Sequence, residues 1–198
     1  ERLAQVGLGR HLLDAAQTGF RSFWGVFGWM GVPMHEQVYL LLAAATVVAL
    51  LGLGAALARD REAATTAAAH GQAWLLIAWG LFSFLGVLWY NMKYVQFQGR
   101  YLFGALAVWG GVLVLGWSAA GRHPLPAAAG LILWAAAAAT AGAVQGDVPG
   151  VTVALLLATA AAVVAWAWAS RRVRLAAGIP LAALWALNLA GALYYVQR

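Results

Sequence analysis

Apolar and polar positions alternate along this chain on two length scales. Over residues 1–16 (ERLAQVGLGRHLLDAA) the apolar positions Leu3, Val6, Leu12 and Leu13 are interleaved with Arg2, Arg10 and Asp14. That pattern predicts a short interfacial helix, too polar to cross a bilayer. Residues 21–33 (RSFWGVFGWMGVP) are aromatic and glycine-rich at once. Glycine weakens helix formation, while Phe23, Trp24, Phe27 and Trp29 suit the headgroup level as interfacial aromatics.

The longer scale consists of apolar runs, each near the ~20 residues that cross a hydrocarbon core of ~30 Å. They predict spans over residues 38–58, 73–90, 101–119, 125–144, 151–169 and 175–195. Glu36 precedes the first and Arg59 ends it, Pro124 and Pro126 open the fourth, Pro149 and Gly150 precede the fifth, and Pro180 lies in the first turns of the sixth. Proline is tolerated at a helix start because its missing N–H has no partner there anyway. The least defined boundary is NMKYVQFQGR, residues 91–100, which is partly helical in pattern. The expected fold is all-α: a polytopic transmembrane bundle of about six spans (residues 37–198) behind an N-terminal interfacial segment (residues 1–36).

Composition agrees with that pattern. Hydrophobic residues make up 64% of the 198 and charged residues 9%, against about a quarter charged in a soluble domain. The formal charge of +6, from 12 Lys+Arg and 6 Asp+Glu, comes from residues lying between the apolar runs. There they serve topology and anionic headgroups rather than nucleic acid, since no basic face with interleaved exposed aromatics is present. Cysteine is absent, which removes disulfides, thiolate metal sites and thiol redox motifs. The chain opens at Glu1 without an initiator Met or a signal-peptide core, so processing or an upstream region is expected.

Arg and Lys counts set the expected orientation. One set of loops carries Arg59, Arg61, Arg122, Arg171, Arg172 and Arg174, and the other carries only Lys93 and Arg100. The richer set belongs in the cytoplasm. Residues 1–36, the 91–100 loop and the C-terminus then face outward, with Arg2, Arg10 and Arg21 running against the bias. The expected location is the bacterial inner membrane.

The spans also exclude chemistry. No Asp, Glu, Lys, Arg or His lies well inside any of them, which argues against proton relays, voltage sensors, ion-coupled transporters and flippase-like carriers. His11, His35, His70 and His123 fall in loops or at span ends, which disfavours axial haem ligation. Asn188 is the strongly polar residue near a span centre and is expected to hydrogen-bond a neighbouring helix. Ala and Gly dominate stretches such as 135–143 and 158–162, giving either tight packing within one bundle or a dimer interface. No P-loop, Rossmann glycine pattern, zinc signature or GxSxG is present, and no cofactor is expected from these residues.

What remains is one membrane face. WYNMKYVQFQGRYLF, residues 89–103, sets Lys93 and Arg100 among Tyr94, Phe97 and Tyr101. If this stretch is helical, Lys93, Phe97 and Arg100 share a side. Two cations with an aromatic between them at headgroup depth suit a lipid phosphate, and the planar fork of Arg donates two parallel hydrogen bonds to phosphate oxygens. The alternative reading of Arg100 is a snorkelling anchor, and that of residues 21–33 is an aromatic belt.

SFWGVFGW before a span, with FQGRYLF opening a later one, resembles a family of multi-pass bacterial membrane proteins related to the GT-C glycosyltransferases, which use polyprenyl-phosphate-linked sugars. The resemblance covers residues 20–120. It implies sugar transfer at the outer face, with the lipid phosphate near Arg100 and Tyr101; Lys93 and Gln98 complete the candidate set. The chain departs from the pattern at Gly104 and His35, where Pro is common in such proteins. The catalytic Asp or Glu that the resemblance implies belongs to a first outer loop, which would lie upstream of Glu1, as would any acidic motif for a divalent metal. The outward carboxylates Glu1, Asp14, Glu36 and Asp147 match no motif, so no catalytic residue is assigned. Two functions stay open: a glycosyltransferase-like protein handling a polyprenyl-phosphate-linked sugar, and a non-catalytic structural subunit of a larger membrane complex. Expected partners are membrane lipids, the lipid-linked sugar and other membrane subunits, but no nucleic acid.

Overall fold

A computed structural model describes residues 7–27, 31–59, 67–94, 96–170 and 186. Those residues form an all-α fold. In chain order the elements are helix α1 (Leu8–Trp24), strands β1 (Val26–Phe27) and β2 (Val32–Pro33), helices α2 (Glu36–Arg59) and α3 (Ala67–Lys93), a 3-10 segment (Gly99–Ala105), then α4 (Leu106–Arg122), α5 (Pro124–Gln145) and α6 (Gly150–Ser170). Five of the helical stretches are long and apolar enough to span a membrane: Glu36–Ala58, Trp74–Lys93, Gly99–Arg122, Pro124–Gln145 and Gly150–Ser170. The expected sixth span, 175–195, lies outside the described residues apart from position 186, and Asn188 lies outside them.

Local chemistry explains the boundaries. Pro124 occupies the first position of α5, where its missing N–H costs nothing. The same helix stops at Gly146, whose φ of 79° places it in the left-handed region. From there the Asp147 N–H reaches back to the Gly142 carbonyl at 2.9 Å, satisfying an otherwise orphaned acceptor. α1 runs on to Trp24, past the expected end at residue 16, because the dense glycines begin only at Gly25. Beyond Gly25, β1 and β2 pair antiparallel, Val26 opposite Pro33 and Phe27 opposite Val32. The aromatic, glycine-rich segment thus begins in α1, and its residues 26–27 and 32–33 form this minimal ribbon.

By contact the chain falls into two compact units. The first contains α1, the ribbon, α3, the 3-10 segment and the start of α4 to Trp109. The second contains α2, the remainder of α4, α5 and α6. Its core is built from Ala44, Val48, Ala120, Leu131, Leu156 and Val163, with smaller neighbours between them. Small residues set the closest approach there. A Cβ on Gly52 would run into the Gly116 carbonyl, and one on Gly116 into the Ala49 backbone. The α2–α4 crossing is thus a backbone-to-backbone contact that only small residues permit. Around these cores large apolar side chains remain uncovered, among them Trp74, Leu75, Phe82, Leu125, Leu133 and Val144. Water does not tolerate apolar exposure on that scale, and bilayer lipid supplies the missing solvent.

Candidate cationic site at the end of helix α3

The candidate site belongs to the first unit and starts with the last turn of α3. Lys93 closes that helix, where a cation complements the negative end of the helix dipole. Asn91, one turn from the end, is buried. Its Nδ2 donates to the Val87 carbonyl at 2.8 Å, and its Oδ1 accepts the Gln96 N–H at 3.3 Å. An asparagine side chain that bonds backbone in this way offers the chain an alternative to the next helical turn.

The following residues accordingly leave the helix. The Gln96 N–H bonds the Tyr94 carbonyl at 2.8 Å and the Gln98 N–H bonds the Gln96 carbonyl at 2.7 Å, two successive bonds of the γ-turn kind. Gln98 itself is extended, with φ −102° and ψ 113°. The helical face expected to align Lys93, Phe97 and Arg100 therefore does not form. Phe97 turns inward instead, buried, with its ring 5.0 Å edge-on from that of His11.

The two cations nevertheless each rest on an aromatic ring. Lys93 and Arg100 are exposed. Lys93 Nζ lies 5.3 Å from the centroid of the Trp89 ring, and the Arg100 guanidinium 5.8 Å from that of Tyr101. Both are within the ~6 Å range of a cation–π contact. Beside Arg100, Tyr90 packs against two other tyrosines: its ring centroid is 5.2 Å from Tyr94 and 5.7 Å from Tyr101. The Tyr101 hydroxyl donates to Gln96 Oε1 at 2.6 Å, which fixes the ring under Arg100. Gln98 stands apart from this surface. Its Oε1 is enclosed and has no hydrogen-bond partner among the described residues.

The interfacial aromatics divide. Phe23 is half-buried and meets Trp24 edge-on at 5.5 Å and Phe103 at 5.7 Å. Trp24 also meets Phe20 at 6.4 Å. These rings pack on neighbours of the same unit rather than standing free as a belt. The Phe27 backbone lies in β1, its side chain and Trp29 being outside what the structure describes.

Three residues of this region escaped the sequence reading. His11 is buried at 2% exposure, and its Nε2 donates to the Asn91 carbonyl at 3.2 Å. Ser22 Oγ accepts the Gly99 N–H at 2.6 Å and donates to the Thr18 carbonyl at 2.8 Å. Gly99 is pressed so closely on α1 that a Cβ would meet the Gly19 carbonyl and the Phe23 amide. His11, Thr18 and Ser22 fall on one helical stripe, and that alignment is the signal that marked them.

Carboxylates lie elsewhere. Asp14 pairs with Arg10 at 3.2 Å, and Glu36 sits in the first turn of α2. Among the described residues no three His, Asp or Glu side chains are grouped to hold a metal ion. The second unit contributes an open apolar groove of about 570 Å³ with Ile132, Leu157 and Trp168 in its walls, and no ionisable group lines it. No protein-family model, no curated protein and no solved structure matches the chain.

Proposed function

We propose that this membrane protein holds the phosphate of a lipid-linked substrate on the Lys93–Arg100 surface and acts as a glycosyltransferase-like protein on a polyprenyl-phosphate-linked sugar. The observation that supports this is a pair of exposed cations, seven positions apart in sequence, each over an aromatic ring: Lys93 over Trp89 and Arg100 over Tyr101. A cation resting on a ring face has lost rotational freedom before any ligand arrives. Arg100 suits the phosphate oxygens because its planar fork donates in parallel, and Lys93 adds a second charge. In sugar transfer the acceptor oxygen bonds the anomeric carbon as the bond to the lipid phosphate breaks. The electron pair leaves with that phosphate, where Arg100 would stabilise the developing charge. The group that takes the acceptor's proton is not assigned.

The test uses the full chain purified in lipid nanodiscs and a short polyprenyl phosphate as probe. Arg100→Ala should weaken binding at least about tenfold, the order expected for losing a charge-assisted hydrogen bond, without lowering the melting temperature. Unchanged binding by a well-folded Arg100→Ala protein overturns the reading.

A second reading is a non-catalytic subunit of a larger membrane assembly. What favours it is α3, whose span Trp74–Lys93 is only 11% buried, with Trp74, Leu75 and Phe82 each at least two-thirds exposed. On that reading other membrane proteins cover α3, the chain copurifies with them, and Arg100→Ala is silent.

A further inference from the structure

We propose that α1 is a membrane-surface helix that positions Arg100, with Ser22 and His11 as its positioning residues. The inference deepens the phosphate-binding reading and rests on it. Residues 94 and 96–98, between α3 and the 3-10 segment, are neither helix nor strand, yet α1 holds the chain on both sides of them. His11 donates to the Asn91 carbonyl at one end, and Ser22 accepts the Gly99 N–H at the other. Gly99 directly precedes Arg100, and the α1 backbone fills the space where a side chain at residue 99 would sit. Between these points the Phe97 ring closes against His11. Any movement of α1 is therefore transmitted to the backbone that carries Arg100.

The remaining faces of α1 identify what α1 rests on. Around the helix from the His11–Ser22 stripe, Arg10, Asp14, Gln17 and Arg21 form a polar edge, while Leu12, Leu13, Phe20 and Trp24 form a broad apolar arc. Within that arc Leu12 and Leu13 are 39% and 60% exposed. An apolar arc flanked by arginines is the pattern of a helix lying in the headgroup plane, its arginines reaching anionic lipid. The bilayer is already the solvent of α3 in the same unit, so the occupant of this arc is the lipid surface. With α1 seated there, Arg100 is held at headgroup depth, where a lipid phosphate lies.

The experiment measures equilibrium binding of a short polyprenyl phosphate to the full chain in anionic-lipid nanodiscs. Ser22→Ala should weaken binding about tenfold, Ser22→Thr should retain it, and in an Arg100→Ala background Ser22→Ala should cause no further loss. Leu13→Glu, at an exposed position outside the internal contacts, should also weaken binding by unseating α1. If the unaltered chain binds no phosphate, the phosphate reading fails and this inference fails with it. If the chain binds, Arg100→Ala does not, and both Ser22→Ala and Leu13→Glu bind normally, the phosphate reading stands and α1 is not the positioning element. Losses from Ser22→Ala and Arg100→Ala that simply add would show that Ser22 acts elsewhere, which also overturns the inference.

Discussion

At the residue scale the molecule depends on a few polar side chains set at the edges of apolar helices. His11 illustrates the principle. Its Nε2–H has to reach the Asn91 carbonyl because both groups are buried, and a buried polar group without a partner costs roughly 1–3 kcal/mol. His11→Leu should therefore lower stability by at most about that amount, because it also removes the enclosed Nδ1 that has no partner among the described residues; the readout is melting temperature, and a rise would contradict a stabilising role for this bond. Arg100 and Lys93 differ in kind. They are exposed, and their cation–π contacts contribute only about 0.5–1 kcal/mol each, so their substitution should leave stability nearly unchanged. Arg100→Lys separates shape from charge: it should retain part of the phosphate binding, because a lysine keeps the charge and loses the parallel fork. The sequence pointed to Lys93 and Arg100 as a pair of cations among aromatics at a membrane face, and the family resemblance implied Tyr101 beside them. It missed His11, Ser22 and Gly99, whose contacts join positions far apart in the chain. Gln98 was named with the cations, but its amide oxygen is turned inward.

At the element scale, length and apolarity identify five spans, and the predicted starts and ends of those spans lie close to the observed helices. The largest differences have physical causes. α1 outran its predicted end because a single glycine, Gly19, does not stop a helix that is docked along one face. Residues 94 and 96–98 left the helical path because Asn91 bonds backbone that a continuing helix would have used. The third span opens as a 3-10 turn, Gly99–Ala105, and there the Gly104 carbonyl accepts the Trp79 indole N–H at 3.0 Å. Small residues do different work in different places. Gly52 and Gly116 let α2 and α4 meet backbone to backbone, which the Ala/Gly composition signalled without locating. Gly116→Leu should force those helices apart and cost at least ~1–3 kcal/mol through overpacking. Gly54→Leu, where an added Cβ meets open space, should be nearly neutral. Equal effects of the two in thermal unfolding would contradict this account of the crossing.

For the whole molecule, apolar surface makes lipid the solvent, and the distribution of positive charge predicts a direction of insertion. The absence of cysteine makes that direction easy to read, since each introduced thiol is the sole label site in the chain. With membrane-impermeant thiol reagents on intact cells, Gln17→Cys and Asp147→Cys should label from outside and Arg122→Cys should not. The opposite pattern would invert the assignment and move the Lys93–Arg100 surface to the cytoplasmic side. Either way the site stays at a membrane face, so its ligand has to be found there. The most direct measurement is therefore photo-crosslinking with a polyprenyl-phosphate analogue carrying its reactive group beside the phosphate, followed by peptide mapping of the full chain. The account predicts adducts within residues 89–103, lost in Arg100→Ala and reduced in Ser22→Ala. Adducts spread evenly along the apolar helices, unchanged by Arg100→Ala, would contradict it.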